Sequence, residues 1–421
     1  MRLRFVATLA PPVPGLGRSN AGKVVSFLPL DRIWADSRFD PSHTIEFSGD
    51  VESYNPVREG DLLVPKVSPT FAHGRTAIAS GLTGGRALAT SEVFVLRPDD
   101  PRDAAFLRYR LISPDFLREG QSAWHGVAGL KRVSGDFLMS TRIATRAWRD
   151  RHAIADLLDR ECERIGGFAA RSAGLRAVLA RAKATVSTSL FMRHAGDAVP
   201  LWAASDPARP IMYGIVLPGE HVPDGVPVVK GGDVENGRLL PPLLSRTTAA
   251  IDAAYARARL RRGDVLVTIR GSYGATAVVP PELEGANITQ DTARVAPRPS
   301  SADGQWLWLM LCSAQVRDEL SLVATGATIK GVNIRDLKRI RVPIPSLGTQ
   351  RSEVAAAMAS LGRLRTAQET AERLTHALTA YRSSLIHEAV TGKLDVTAAS
   401  DRQMDERLHA AAEGRLDEVP V

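Results

Sequence analysis

The sequence predicts a mixed α/β (α+β) protein: two similar globular domains separated by two long helices that form an antiparallel coiled coil. Three observations predict this fold. First, Arg58–Val64 recurs as Arg261–Val267, and Leu111–Ser113 recurs as Leu311–Ser313, about 200 residues later. Second, two long proline-free stretches carry apolar residues at coiled-coil spacing. Third, the remaining segments contain short apolar runs between turn residues. The chain therefore has a pseudo-twofold layout of domain, helix, domain and helix.

The composition is that of a soluble globular protein, with 421 residues, 44% hydrophobic residues and 24% charged residues. This length suits two or three domains. The net charge of +8 favours polyanionic partners, although an ordinary basic protein explains the charge equally well. Cys162 and Cys312 lie in different halves without a CxxC partner, so neither a disulfide nor a zinc site is expected, and a reducing cytoplasm fits.

The first domain is expected to comprise residues 1–148. Strands are predicted at Val24–Leu28, Leu62–Val67 and Ser91–Leu96, where β-branched and apolar residues stand between turn residues. A short helix is predicted at Ala104–Ile112. These elements predict a mixed domain with a twisted, largely antiparallel sheet.

The first spacer helix is expected within residues 149–192, because residues 151–190 contain no proline. Its apolar residues recur in alternating steps of four and three, which predicts an a/d seam for a partner helix. The seam comprises Ile154, Leu158, Ile165, Phe168, Leu175, Leu179, Ala182 and Val186, with Glu161 and Ser172 in its two gaps. Gly166 and Gly167 inside the helix favour a bend or a close helix crossing.

The second domain is expected to comprise residues 193–345. It repeats the pattern of the first domain, with strands predicted at Val226–Lys230, Asp264–Ile269 and Thr292–Val295 and a short helix at Trp306–Ser313.

The second spacer helix is expected within residues 346–396, from about Arg351 to Thr391, with Gly392 placed to end it. Its seam comprises Val354, Met358, Leu361, Leu364, Ala371, Leu374, Leu378, Tyr381 and Leu385. Each helix would span roughly 55–60 Å. Antiparallel pairing of the two seams predicts a rod with the domains at its ends. The alternative is that each helix covers only its own domain. The tail, residues 397–421, carries mixed charges, and no function is assigned to it.

No catalytic motif stands out in the chain. It lacks HExxH, GxSxG, the Asp/Asn-Pro-Pro-Tyr/Phe tetrad of amino-methyltransferases and a glycine-rich cofactor loop between a strand and a helix. We therefore expect no catalytic residues, no bound metal and no cofactor in this chain. Polar residues in the loops indicate a protein that reads another molecule.

Three segments resemble the specificity (S) subunits of Type I restriction–modification systems. Arg382–Val396 is similar to the end of their second long helix, and Gly60–Thr70 looks like one subtype of their target-recognition domain. Val342–Pro345, followed by Gln350 and Arg351, resembles the entry into a spacer helix. The resemblance covers residues 20–396, in the order of the family.

The resemblance implies that each domain reads one part of a split DNA target. It further implies that the coiled coil sets the spacing between the two parts and docks two methyltransferase subunits. In such complexes S-adenosylmethionine, ATP and magnesium belong to partner subunits, motor-nuclease subunits join for restriction, and the S subunit catalyses nothing. The first helix departs from the family because Arg146–His152 replaces the usual proline-rich entry, and the second has Thr349 where Glu is usual.

Candidate DNA contacts lie in the loops that vary between family members. Arginine can bind guanine with two hydrogen bonds, and amides suit adenine. Ordinary turn chemistry explains these loops about equally well. In the first domain the candidates are Lys66, Ser68, Thr70, Arg75, Thr90 and Lys131. In the second domain they are Lys230, Arg270, Ser272, Tyr273, Gln290, Thr328 and Lys330. Lys131 and Lys330 occupy nearly matching places in the repeat.

Two other functions remain open at this stage. One is a stand-alone nuclease or methyltransferase with an unrecognised site, which would cut or methylate DNA without partners. The other is a coiled-coil scaffold that binds DNA without regard to sequence.

Overall fold

The structure is a computed structural model, and it describes residues 1–16, 20–35, 37–49, 53–126, 131–235, 238–239, 244–271, 273–326, 330–396 and 401–413. The chain divides into two compact units. The first contains Met1–Ala173 and Glu372–Val421, and the second contains Gly174–Ala371. Each unit therefore combines a sheet-rich part with one portion of each long helix.

Eight strands of the first unit form two four-stranded sheets. The strands are β1 (Ala7–Leu9), β2 (Val24–Leu28), β3 (Thr44–Glu46), β4 (Tyr54–Arg58), β5 (Leu62–Pro65), β6 (Ala77–Ile78), β7 (Arg86–Thr90) and β8 (Val93–Pro98). One sheet has the order β1-β8-β5-β6 and is antiparallel throughout. The other has the order β3-β2-β7-β4, in which β2 and β7 run parallel. The strands predicted near β2, β5 and β8 are confirmed, but the domain contains two sheets where one was expected.

The second unit repeats this sheet arrangement. Its strands are β9 (Ala198–Pro200), β10 (Met212–Tyr213), β11 (Val226–Val229), β12 (Val234–Glu235), β13 (Arg238–Leu239), β14 (Ser245–Thr247), β15 (Val265–Thr268), β16 (Thr276–Val278), β17 (Asn287–Ile288), β18 (Thr292–Val295) and β19 (Arg341–Pro343). The antiparallel sheet β10-β18-β15-β16 matches β1-β8-β5-β6, and the parallel pair of β11 and β17 matches β2 and β7. β14 pairs with the other edge of β11, and the remaining pairs among the described strands are β12 with β13 and β9 with β19.

Helices cover one face of the antiparallel sheet in each unit. In the first unit the helices are α1 (Ala104–Arg110), α2 (Pro114–Ser122), α3 (Gly135–Ser140), α4 (Thr145–Arg149), part of α5 (Arg151–Arg193), part of α10 (Leu347–Thr391) and α11 (Asp401–Ala412). In the second they are α7 (Gly304–Leu311), α8 (Ala314–Val323), α9 (Ile334–Leu337) and the other portions of α5 and α10. The short helix α6 (Ala249–Ala254) lies instead beside β17, where Asp252 accepts a hydrogen bond from Asn287.

The central strands β5 and β15 are buried on both faces. In β5, Leu62 and Val64 join the helix-side core, whereas Leu63 joins the core on the opposite face. In β15, Val265 and Leu266 divide in the same way. This follows from the alternation of side chains along a strand and explains why both strands are continuous apolar runs.

The repeated Gly-Asp pair that precedes these strands forms a turn. Gly60 and Gly263 adopt φ angles of +84° and +83°, which favour glycine. The carboxylates of Asp61 and Asp264 are almost fully buried, and each accepts a hydrogen bond from the backbone N–H three residues earlier. The repeat first recognised in the sequence is therefore a structural turn.

Both predicted long helices are confirmed as α5 and α10. The second begins at Leu347, four residues before the predicted start, because the Ser346 hydroxyl accepts a hydrogen bond from the Thr349 N–H at 3.2 Å. It ends where predicted, since Gly392 has a φ angle of +74° and its N–H bonds the Ala389 carbonyl.

The predicted seam of α5 is correct near its ends and wrong in the middle. Glu161 and Ser172, which filled its gaps, are buried, but Phe168 and Leu175 are 40% and 48% exposed. An ideal helix drifts away from a strict heptad repeat, so an extrapolated a/d pattern leaves the contact face. A Cβ atom on Gly166 would meet nothing within 4 Å, which contradicts a close crossing there.

The seam of α10 shifts in the same manner. Met358 is 39% exposed, and Ala357 takes the buried position beside it. Leu378, Tyr381 and Leu385 are buried as predicted.

Within each unit the two long helices pair in antiparallel fashion. In the second unit, Lys183 donates to the Gln368 side chain at 2.5 Å, and Arg193 donates to Glu353. Residue numbers therefore rise along α5 as they fall along α10, so the two helices run in opposite directions. In the first unit, the Ser172 hydroxyl lies 2.9 Å from that of Thr375. The rod with domains at its ends stays a prediction.

The tail contains an element that was not predicted. Within the described residues of the tail, α11 packs Met404, Leu408 and Ala411 into the core of the first unit with residues of α5 and α10. Its apolar residues recur at helical spacing, a signal that its many charges obscured.

Candidate nucleic-acid interface

In the second unit, the chain just after β15 presents Arg270 at the surface. Arg270 is exposed and forms an isolated β-bridge with Gly331. The N–H of Gly271 bonds the carbonyl of Lys330 at 3.2 Å. Arg270 and Lys330, which are 60 residues apart in sequence, therefore lie on adjacent extended segments.

Gln290 holds the side chain of Arg270. Nη1 of Arg270 donates to Oε1 of Gln290 at 3.1 Å, and Nε2 of Gln290 lies 3.4 Å from the Val216 carbonyl. Val216 and the next residue, Leu217, are 39% and 79% exposed, and this apolar surface was not predicted. The amide thus restrains a guanidinium that points outward beside an apolar patch.

Lys230 and Tyr273 lie near the same place. Lys230 follows β11, and its Nζ donates to the Ser245 hydroxyl at 2.7 Å. A Cβ atom on the next residue, Gly231, would lie 3.9 Å from the Arg270 carbonyl. Tyr273 is half-buried and packs on the helix-side core. The structure therefore groups the five described candidates of the second domain, whereas Ser272 and Thr328 lie outside the described residues.

Asn287, which precedes Gln290 in a polar run, is unsuited to contact a base. It is fully buried, and its amide donates to Asp252 at 2.8 Å. The amide of Asn287 is therefore committed to a contact within its own unit.

In the first unit, Lys66, Ser68 and Lys131 come together after β5. The Ser68 N–H bonds the Lys131 carbonyl at 2.8 Å, as Gly271 does with Lys330 in the second unit. Nζ of Lys66 donates to the Ser91 carbonyl at 2.5 Å and lies 4.6 Å from the centre of the Phe94 ring. Burial lowers the pKa of Lys66, although the charge of Glu92 opposes this shift. Lys66 is thus a packed side chain, and Lys131 is the exposed one.

Three further candidates of the first domain are less exposed. Thr70 is half-buried, and the Thr90 hydroxyl is buried without a hydrogen-bond partner among the described residues. Arg75 is half-buried, and its Nη1 lies 3.5 Å from the Ile33 carbonyl, so it is directed towards its own unit. A DNA contact by any of these three side chains stays a prediction.

Arg132 and Glu92 were missed by the sequence predictions. Arg132 donates two hydrogen bonds to the Glu92 carboxylate, from Nε at 3.0 Å and from Nη2 at 2.7 Å. This hydrogen bonding lowers the pKa of Glu92. Arg132 directly follows Lys131, which the repeat had already identified as a candidate, so its place in the repeat could have predicted it.

The described residues contain no cluster of three or more His, Cys, Asp or Glu side chains that could hold a metal ion. Over the same residues, no helix is long and apolar enough to cross a membrane.

Three proteins of Escherichia coli match part of the chain. The Type I restriction enzyme EcoBI specificity subunit is 31% identical over 142 residues, which are 34% of this chain and 30% of that protein. The EcoAI specificity subunit is 34% identical over 134 residues, 31% of this chain and 22% of that protein. The EcoEI specificity subunit is 33% identical over 139 residues, 32% of this chain and 23% of that protein. About a third of the chain is therefore homologous to Type I restriction enzyme specificity subunits. The matched segments span less than a third of these relatives, and no family model matches the chain.

The structural similarity to solved proteins extends well beyond the segment matched in sequence. A chain solved in work on the assembly and conformational transition of the type I R-M system matches with a TM-score of 0.74. It covers 94% of this chain and 97% of that chain at 18% identity. The HsdS subunit from Thermoanaerobacter tengcongensis matches with a TM-score of 0.51, covering 94% of this chain and 96% of that chain at 19% identity. The predicted fold class is therefore confirmed.

Proposed function

We propose that this chain is the DNA-recognition subunit of a Type I restriction–modification complex and that its two domains read the two parts of a split, asymmetric target. One observation carries the proposal: the two units share a framework but present different side chains at equivalent positions. Val67 and Arg270 both follow the central strand and both bridge to the neighbouring segment, at Arg132 and Gly331. Similar frameworks with different surface residues suit a target whose halves differ in sequence.

The recognition domains in this proposal are residues 1–148 and 193–345, and the spacer helices lie within residues 149–192 and 346–396. The candidate DNA contacts remain those named from the sequence in both domains. Lys131 and Lys330 are exposed beside the backbone bridges and suit phosphate contacts, which position a protein on DNA without reading its sequence. Arg270 suits a base contact because its orientation is restrained.

The partners in this proposal are double-stranded DNA, two methyltransferase subunits and, for restriction, motor-nuclease subunits. The long helices dock the methyltransferases and fix the distance between the two half-sites. S-adenosylmethionine, ATP and magnesium are bound by the partner subunits, and the chain itself is not an enzyme. The complex is cytoplasmic. The homologous specificity subunits support this assignment.

A domain exchange tests the proposal. Residues 193–345 are replaced by the equivalent domain of another specificity subunit, and the full complex is assayed for its methylation target. We expect one half of the target to change and the other half to stay. A chimera that retains both original halves contradicts the proposal. Methylation or cleavage by the purified chain alone would instead indicate a stand-alone enzyme.

A further inference from the structure

The arginine beside the central strand occupies different segments in the two units. In the second unit, Arg270 follows the strand and faces a glycine, Gly331, on the adjacent segment. In the first unit the equivalent strand position is Val67, and the arginine, Arg132, lies on the adjacent segment. Both units therefore carry one guanidinium at this place, but it arises from opposite sides of the same backbone pairing.

Gly331 allows the two segments to approach each other closely beside Arg270. A Cβ atom at position 331 would lie 3.0 Å from the Ile269 carbonyl oxygen, a tight contact with backbone, and 3.4 Å from Cγ of Arg270. The backbone here is also fixed, since the Val332 N–H bonds the Ile269 carbonyl at 2.8 Å. Arg270 consequently begins from a rigid position.

The two guanidinium groups have chemically different partners. Arg132 forms a bidentate pair with a carboxylate, that of Glu92, which neutralises its charge and uses two of its donors. Arg270 donates one hydrogen bond to a neutral amide, that of Gln290. Among the described residues, this is the side-chain hydrogen bond that the structure gives Arg270, so its charge and further donors remain available.

A restrained arginine with available donors is suited to one base edge in particular. In the major groove, guanine presents O6 and N7, and a guanidinium binds both with parallel hydrogen bonds. The restraint by Gln290 reduces the side-chain entropy that would be lost on binding. A carboxylate-paired arginine such as Arg132 would first have to lose its ion pair.

We infer that Arg270 reads a guanine in the half-site bound by the second domain, and that Gln290 positions its guanidinium. Arg132, the counterpart of Arg270 in the first domain, does not act as a guanine reader, because Glu92 holds it. This inference rests on the proposed DNA-recognition function.

The test uses the full-length chain assembled with its methyltransferase subunits. Binding is measured on double-stranded DNA carrying the target mapped for the wild type, and on duplexes in which each base pair of the target is substituted singly. For Arg270→Ala we expect discrimination to fall by about 5- to 150-fold at one G·C pair of the second half-site and to be retained elsewhere.

Two substitutions of Gln290 distinguish a role in positioning Arg270 from a general role in the stability of the domain. Gln290→Glu retains the size of the side chain but introduces a carboxylate that captures Arg270, so it should lose discrimination at the same G·C pair. Gln290→Ala should cause a smaller loss at that pair alone. Arg132→Ala should leave every base preference in the first half-site unchanged.

Lys330→Ala is the matched control, since an exposed phosphate contact should weaken binding to all duplexes alike and reduce the salt dependence. Retained first-half-site discrimination shows that each variant is folded. If Arg270→Ala behaves like Lys330→Ala, with uniform weakening and the wild-type order of preference, the inference is wrong. A wild-type complex without any sequence preference would contradict the proposed function itself.

Discussion

Arg97 donates two hydrogen bonds to the buried carboxylate of Asp61, from Nε at 2.7 Å and from Nη2 at 2.8 Å. In the second unit, Arg209 makes the corresponding pair with Asp264 at 2.7 and 2.6 Å. The two arginines come from different places in the chain, since Arg97 lies within β8 and Arg209 precedes β10. In both units the aspartate of the Gly-Asp motif is therefore paired with a bidentate arginine, although the arginine comes from a different element in each unit.

Removal of Arg97 should strongly destabilise the first unit. Arg97→Ala removes the bidentate partner of the Asp61 carboxylate, which is 1% exposed, and the contact with Nε of Arg58 that remains is long, at 4.0 Å. Such a loss costs about 3–5 kcal/mol. Denaturant unfolding measures the change in the free energy of unfolding. Arg102→Ala is the control because its pair with Asp100 is solvent-exposed, and its unfolding midpoint should stay at the wild-type value. Equal midpoints for both variants would show that the buried pair has no structural role.

The tail helix α11 is joined to the long helices by a buried polar cluster. Arg407 is 3% exposed and donates to Glu388 at 2.6 Å, but its Nε and Nη1 have no partner among the described residues. The hydroxyl of Tyr381 and Oε2 of Glu161 share this lack of a partner within the same residues. Burial raises the pKa of Tyr381 to about 12.

Breaking this cluster on one side should be more harmful than replacing it. Glu388→Ala leaves Arg407 buried and unpaired, with an expected loss of about 3–5 kcal/mol. The double variant Glu388→Met/Arg407→Leu removes both charges and should regain most of that loss. Unfolding curves and proteolysis of α11 report the outcome. A double variant as unstable as Glu388→Ala would show that the ion pair itself stabilises the packing of α11.

Acid should weaken the helix pairing in the second unit through Glu353. The hydrogen bond from Arg193 lowers the pKa of Glu353, and His194 contributes in the same direction. A carboxyl whose pKa is lower in the folded state stabilises above its unfolded pKa, and this contribution disappears as the pH falls through the folded pKa. The difference in melting temperature between wild type and Glu353→Gln should therefore shrink from about pH 6 to about pH 3. A difference that is constant with pH would contradict this role.

The length of the long helices should determine the gap in the DNA target. One heptad is inserted into α5 between Ser172 and Lys183 and another into α10 between Gln368 and Thr375, which keeps the two helices matched. A heptad adds about 10 Å, so the tolerated gap should lengthen by up to about 3 base pairs. Methylation of a series of targets with different gaps measures this. An unchanged gap would contradict the spacer role of the helices.

The framework was largely predictable from the sequence because its signals are local. Apolar runs placed β2 and β18 at their observed bounds, and the positive φ angle at Gly392 follows from its position after a helix. The buried role of Asp61 was less apparent, since its partner Arg97 lies 36 residues away. The division of each domain into more than one sheet was also missed, because strand order depends on contacts distant in sequence.

The candidate site was predicted in outline but not in detail. Arg270 and Gln290 were both named, yet their contact joins residues 20 positions apart and could not be read from a pattern. Arg132 was missed because only the backbone pairing reveals that it is the counterpart of Arg270. Phe168 was misplaced because a small phase error accumulates along a helix until the residue points to solvent.

The most direct test of the account is single-molecule mapping of methylated bases in DNA from cells that carry the methyltransferase subunits with and without this chain. With the chain present, we expect methylation at one asymmetric target made of two short sequences separated by a fixed gap, and we expect none of it when the chain is deleted. Methylation that persists in the deletion strain, or that shows no split target, would contradict the account.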